Sequence, residues 1–127
     1  MLHKLLSHYL QGIENAVQTL EDVYVERYEE EILTPYRVNL RLRIRFVHGQ
    51  LLEINEAIII EVGHIKHLNY RYHFQDKQNN LIFRYDNAPH FQKLSGFPDH
   101  KHVHDDVLSS NRPPIPQVLQ ESQSSAL

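Results

Sequence analysis

The chain has 127 residues, no cysteine, a hydrophobic fraction of 41% and a formal net charge of −3, which fits a single domain with one core. These numbers exclude disulfide and thiol chemistry, leave only His and carboxylate ligands for a metal, and speak against a whole-surface nucleic-acid binder, whose affinity needs clustered Lys and Arg. No apolar run is long enough to cross a bilayer and the N-terminus lacks a signal-peptide pattern, so the expectation is a cytoplasmic protein with no membrane association.

Leu2, Leu5, Leu6, Tyr9, Ile13, Val17 and Leu20 recur at helical spacing and predict a helix from about Leu2 to Thr19. From Val23 the period changes to two. Val23 to Leu33 alternates imperfectly, Thr34-Pro35 breaks it, and Tyr36 to Phe46 alternates strictly between apolar residues and Arg37, Asn39, Arg41, Arg43 and Arg45. His48-Gly49 suits a turn. Leu52 to Val62 forms the next strand, with Glu56 on its apolar side as a candidate bulge. Leu68 to Phe74 and Leu81 to Asp86 follow, joined by the DKQNN loop.

The expected fold is therefore α+β: an N-terminal helix packed on a five-stranded antiparallel meander, a histidine-rich C-terminal loop and a short C-terminal tail. Short connections favour the antiparallel arrangement, because parallel crossovers need a dozen or more residues. Residues 1–107 form the single domain. Residues 108–127 read as a Pro-rich connector and tail, partly disordered, with a short helix around Ile115, Val118 and Leu119.

Chemistry concentrates between Asn69 and His104. Metal-free RNA cleavage requires a base for the 2′-hydroxyl, an acid for the leaving 5′-oxygen and cations for the charge on phosphorus. His73, His90, His100 and His102 are the proton-transfer candidates, and Arg71, Arg84 and Lys101 the phosphate stabilisers. Asp86 and Asn87 join the binding set; against that, Arg84 and Asp86 form a structural ion pair and Asn87 is a turn former. The His100, His102 and His104 alternation, with His90, Asp86 or Asp99, is also a weak metal pattern, but no His/Cys motif accompanies it and no cofactor is expected. The Arg37/Arg41/Arg43/Arg45 row is either a phosphate-binding face or a solvated face paired with glutamates. Tyr70, Tyr72 and Phe74 read as core.

The runs YRYHFQD (Tyr70 to Asp76), FRYDNAPH (Phe83 to His90) and FPDHKHV (Phe97 to Val103), together with LTPYRVNLRLRIRF (Leu33 to Phe46) and the Pro-rich tail, resemble the TumE family of small toxins. The resemblance spans most of the chain. It implies a bacterial or archaeal toxin encoded beside a helix-turn-helix antitoxin that neutralises it by direct binding. The family pattern carries paired histidines after Ala-Pro and again after Phe-Pro. Here Phe91 and Asp99 replace one member of each pair, while His90, His100 and His102 remain.

The combined expectation is a metal-independent endoribonuclease toxin with an RNA substrate and a cognate helix-turn-helix antitoxin, present as a homodimer or a toxin–antitoxin hetero-oligomer. The alternatives are a non-enzymatic interaction module acting through its polar Arg/His face, and a His/Asp metal-dependent enzyme.

Overall fold

In a computed structural model describing residues 1–127, the chain runs α1 (Lys4–Gln18), β1 (Tyr24–Thr34), β2 (Arg37–Arg45), β3 (Leu51–Glu61), β4 (His64–Gln75), β5 (Leu81–Asp86), β6 (His100–Val103), β7 (Asp106–Ser109) and α2 (Ile115–Ala126). The strands form one seven-stranded sheet in sequence order, β1 to β7. Every neighbouring pair is antiparallel. The expected meander is present, but with seven strands in place of five.

The two additional strands come from the segment expected to be a histidine-rich loop. Residues His100 to Val103 pair with β5, and a two-residue turn through His104, whose φ is 55°, returns the chain as β7. Each strand is only four residues long, too short for a visible period. The alternation is further hidden because Lys101, a charged residue, takes an apolar-face position. The short helix expected around Ile115, Val118 and Leu119 lies within a longer one. Ile115–Ala126 is a continuous helix whose Ile115, Val118, Leu119, Ser122 and Ala126 are buried, started by the prolines that fit a helix N-terminus.

The apolar face of the sheet follows from the period-two pattern. Val38, Leu40, Leu42 and Ile44 of β2, Leu52, Ile54 and Ile58 of β3, Tyr70, Tyr72 and Phe74 of β4, and Phe83 and Tyr85 of β5 belong to one buried cluster. Leu6, Leu10, Ile13 and Val17 of α1 and Ile115, Val118, Leu119 and Ala126 of α2 belong to it as well. Glu121 ties α2 to the sheet, accepting from the Tyr85 hydroxyl at 2.7 Å and pairing with Lys101 Nζ at 2.8 Å.

Glu56 faces this core and does not mark a bulge at its own position. It sits in continuous register between Leu40 and Tyr70. The register shift falls one residue later, between Ala57 and Ile58, and leaves Leu68 unopposed on β4. The carboxylate is 3% exposed and is satisfied by the hydroxyls of Tyr9 and Tyr72, each donating at 2.6 Å, with His67 Nε2 3.4 Å away. Arg112 Nη1 donates to the Tyr72 hydroxyl at 3.2 Å, which brings the Pro-rich connector into the same network. Burial pushes the Glu56 carboxyl up, but the hydrogen bond and charge of His67, then the bonds from Tyr72 and Tyr9, outweigh it and hold the group below its ordinary range.

At the β2–β3 turn, Gly49 has φ of 87° and its amide donates to the Phe46 carbonyl. A Cβ there would lie 2.8 Å from Lys77 Cβ. The turn needs glycine for both conformation and space.

Candidate active site

The antiparallel register converts the polar alternation of each strand into rows that cross the sheet on the face opposite the buried cluster. One row runs Glu29, Arg41, Asn55, Arg71, Asp86, His100. The next runs Arg27, Arg43, Glu53, His73, Arg84, His102. The β5 and β6 ends of the two rows place Asp86 and His100 beside Arg84 and His102, under the loop that connects β5 to β6.

Asp86 is the hub. Its Oδ2 accepts from Arg84 Nε at 3.0 Å, its Oδ1 accepts from the Ala88 amide at 3.0 Å, and His100 Nε2 lies 2.9 Å from Oδ1. The anticipated Arg84–Asp86 ion pair is therefore present within a larger group. His100 is 2% exposed and its Nδ1 donates to the Pro98 carbonyl at 2.9 Å. Since a carbonyl only accepts, that bond fixes the proton on Nδ1 and directs Nε2 towards Asp86. The 2.9 Å approach is out of line for a hydrogen bond, and Nε2 has no other partner.

His102 Nε2 stands 3.2 Å from Arg84 Nη2 and 3.5 Å from Asp86 Oδ2. A guanidinium can only donate, so His102 accepts on Nε2 and is a neutral imidazole. Burial and then the Arg84 charge hold its pKa below the ordinary histidine range, against the opposing pull of Asp86. Phe91 from the connecting loop lies edge-on to both imidazoles, with ring centroids 4.9 Å from His100 and 5.7 Å from His102.

These groups open on a cleft of about 630 Å³ lined by Arg71, Arg84, Asp86, Asn87, His90, Phe91, His100 and His102, with Asn55 and Asn69 at its far side. Seven of the nine residues singled out in the sequence thus share one cleft. Asn87 does so through its position more than its side chain. That amide accepts from the Tyr70 N–H at 3.1 Å and donates to the Leu68 carbonyl at 3.4 Å, satisfying backbone groups at the β4 irregularity. His90 is exposed at the cleft mouth.

His73 and Lys101 stand apart. His73 is the cross-strand neighbour of Arg84 but bonds to Gln75 Oε1 at 3.0 Å. Burial, then the charges of Arg71 and Arg84, depress its pKa despite that bond. Lys101 projects from β6 to the opposite face, where it pairs with Glu121 and lies 4.7 Å from the centre of the Tyr85 ring. Phe91, Asn55 and Asn69 line the cleft without having been placed at the site by sequence reasoning. Asn55 was visible as a polar position of β3, but only the register shows that it lies between Arg41 and Arg71.

A meander sheet with a histidine, carboxylate and guanidinium cluster on its open face defines a small α+β protein with a built polar cleft. The family model described as Toxin TumE matches residues 13–125, and the chain belongs to that toxin family. An antitoxin partner follows in general from that membership. No curated protein and no solved structure gives a significant match. No helix is long and apolar enough to cross a membrane.

Proposed function

We propose that this toxin cleaves RNA at the Arg84–Asp86–His100–His102 cleft and that a cognate helix-turn-helix antitoxin neutralises it. The observation that carries the proposal is the convergence of two imidazoles from alternate β6 positions with Asp86 and Arg84 of β5 on one cleft.

The 2′-hydroxyl oxygen attacks phosphorus and passes its proton to neutral His102 at Nε2, whose lone pair is released as Arg84 Nη2 turns from it to a phosphoryl oxygen. The bond from phosphorus to the 5′-oxygen breaks, and that oxygen takes a proton from Nε2 of the His100 imidazolium, the nitrogen that lies 2.9 Å from Asp86 Oδ1. Arg84 and the exposed Arg71 balance the charge on the phosphoryl oxygens. His90 stands at the entrance for substrate contact, and His73 supports the row that holds Arg84. The products are a 2′,3′-cyclic phosphate and a free 5′-hydroxyl.

A second reading is a His/Asp metal-dependent enzyme. Asp86, His100 and His102 offer donor atoms all within 4.8 Å of one another, and His100 Nε2 lacks a hydrogen-bond partner. The Arg84 guanidinium, bonded to Asp86 Oδ2 and against His102 Nε2, already supplies a positive charge there and favours the metal-free reading.

Purified protein incubated with cellular RNA tests both. Cleavage in the presence of a chelator, with 2′,3′-cyclic ends and loss of activity in His100→Ala and His102→Ala, is the expected result. Activity restored only by a divalent metal supports the second reading. Intact RNA with and without metal leaves the non-enzymatic interaction module.

A further inference from the structure

The arginines of the open face divide into two sets. Arg43 and Arg45 donate to the two oxygens of Glu26 at 2.7 and 3.0 Å, and Glu53 lies 3.4 Å from Arg43. Arg27 is held by Glu29 at 2.7 Å and Arg84 by Asp86 at 3.0 Å. For these residues the expectation of a face paired with carboxylates holds. Arg37, Arg41 and Arg71 are exposed and form no ion pair. Glu29, opposite Arg41 in the register, is bonded to Arg27 instead.

The unpaired set is not scattered. Arg41, Asn55 and Arg71 continue the row of Asp86 and His100 straight across the sheet. At ~4.8 Å per strand, Arg71 stands about 10 Å from His100 and Arg41 about 10 Å beyond it. The cleft at His100 and His102 adjoins a second one of about 320 Å³ through the shared residues Asn55 and Asn69, and Arg37 and Arg41 line that second cleft. Asn55 and Asn69 are exposed, so their amides are available to donate and accept together. Arg71 and Arg41 lie on this row two strands apart, and Arg37 follows four residues along β2 from Arg41. Such a file of uncompensated guanidiniums leading from a cleft matches an extended polyanion better than a compact anion.

We infer that this file is a binding track for the phosphodiester backbone of single-stranded RNA, holding the nucleotides that flank the bond cleaved beside His100 and His102. The inference rests on the RNA-cleaving reading above. Arg71 contacts the phosphate nearest the cleft, Arg41 and Arg37 contact those beyond, and the two asparagine amides face the bases or sugars between. A single strand is required because attack in line by the 2′-oxygen needs a nucleotide free of duplex geometry.

The test measures fluorescence anisotropy of a labelled single-stranded oligonucleotide with 2′-deoxy sugars, which cannot be cut. The Arg37→Gln/Arg41→Gln double variant is expected to bind about tenfold more weakly at low salt, with the log–log salt slope reduced by about 1.4, or ~0.7 for each phosphate no longer neutralised. Arg43→Gln, whose guanidinium is committed to Glu26, stays within about twofold of wild type. Circular dichroism melts check that each variant is folded. Absence of binding by the wild type, or an Arg43→Gln loss equal to that of the double variant, overturns the track.

A second arm separates the track from the chemistry. A ribodinucleotide, too short to reach Arg41, is expected to be cut equally by wild type and double variant, while long RNA is cut more slowly by the variant. Oligonucleotide binding that depends on Arg37 and Arg41 without cleavage of any RNA sinks the ribonuclease reading and keeps the track. Cleavage of long RNA at equal rates by both proteins keeps the ribonuclease and sinks the track.

Discussion

Asp86 meets a guanidinium and an imidazole with its two oxygens, Arg84 Nε at 3.0 Å on Oδ2 and His100 Nε2 at 2.9 Å from Oδ1. An amide in its place keeps the shape and removes the negative charge that faces Arg84 and His100. Asp86→Asn is expected to lower the RNA cleavage rate by ~10²–10³-fold, in the range of a lost acid–base contribution, with the fold retained by circular dichroism. Unchanged cleavage by the folded variant removes Asp86 from the mechanism.

Lys101 and its flanking histidines occupy consecutive positions on opposite faces of one strand. Lys101→Met removes the ion pair to Glu121 and leaves the cleft side of β6 untouched. The expected outcome is a loss of up to ~1 kcal/mol in urea denaturation, since both partners are partly solvated, and a cleavage rate within about twofold of wild type. A collapse of cleavage with unaltered stability assigns Lys101 to the substrate after all.

Glu56 supplies a pH dependence whose sign follows from its depressed pKa. The folded state holds the carboxyl below the unfolded value of about 4.5, so protons bind the unfolded chain more readily. Its stabilisation is complete above that value and falls away as the pH drops through the folded one. Glu56→Ala leaves the Tyr9 and Tyr72 hydroxyls and His67 without their acceptor, and breaking a buried pair in this way costs ~3–5 kcal/mol. Urea titrations across acidic pH are expected to show a steep decline for wild type and a flatter one for the variant. Parallel curves would contradict this account.

Phe91 covers the two β6 imidazoles edge-on. Phe91→Ala is expected to speed modification of His100 and His102 by diethyl pyrocarbonate several-fold, read by mass spectrometry of the digested protein, while His3 and His48 react as before. Equal rates in both proteins show that the ring does not limit access.

Much of the scaffold is legible in the sequence because β2 alternates without exception, and one strict strand fixes which face its neighbours must match. The imidazoles of His100 and His102 on one side of an extended segment are legible for the same reason. His104 is not with them, because it occupies the β6–β7 turn with a positive φ. The last two strands are hidden by brevity and by Lys101 on the covered face. The C-terminal helix is legible at its start, through Ile115, Val118 and Leu119, but not in its length, since the run SQSS masks the rest of its apolar stripe. Glu56 is visible as a carboxylate on an apolar face, but its reason lies in Tyr9, 47 residues away, and Tyr72, 16 residues away. Sorting paired from unpaired arginines likewise depends on side-chain reach, which residue order does not record.

The strictly sequential order of the strands also separates the proposed binding track from the proposed reaction site along the chain. The groups assigned to chemistry lie between Arg84 and His102, on β5 and β6, whereas Arg37, Arg41 and Asn55 lie on β2 and β3. Substitutions in the earlier hairpin therefore leave the Asp86–His100 pair in place, and on the proposed reading they change the grip on the flanking strand alone. On the proposed RNA-cleaving reading, two toxins of this build with the same β5–β6 segment share their chemistry and differ in how firmly each grips the strand on either side of it.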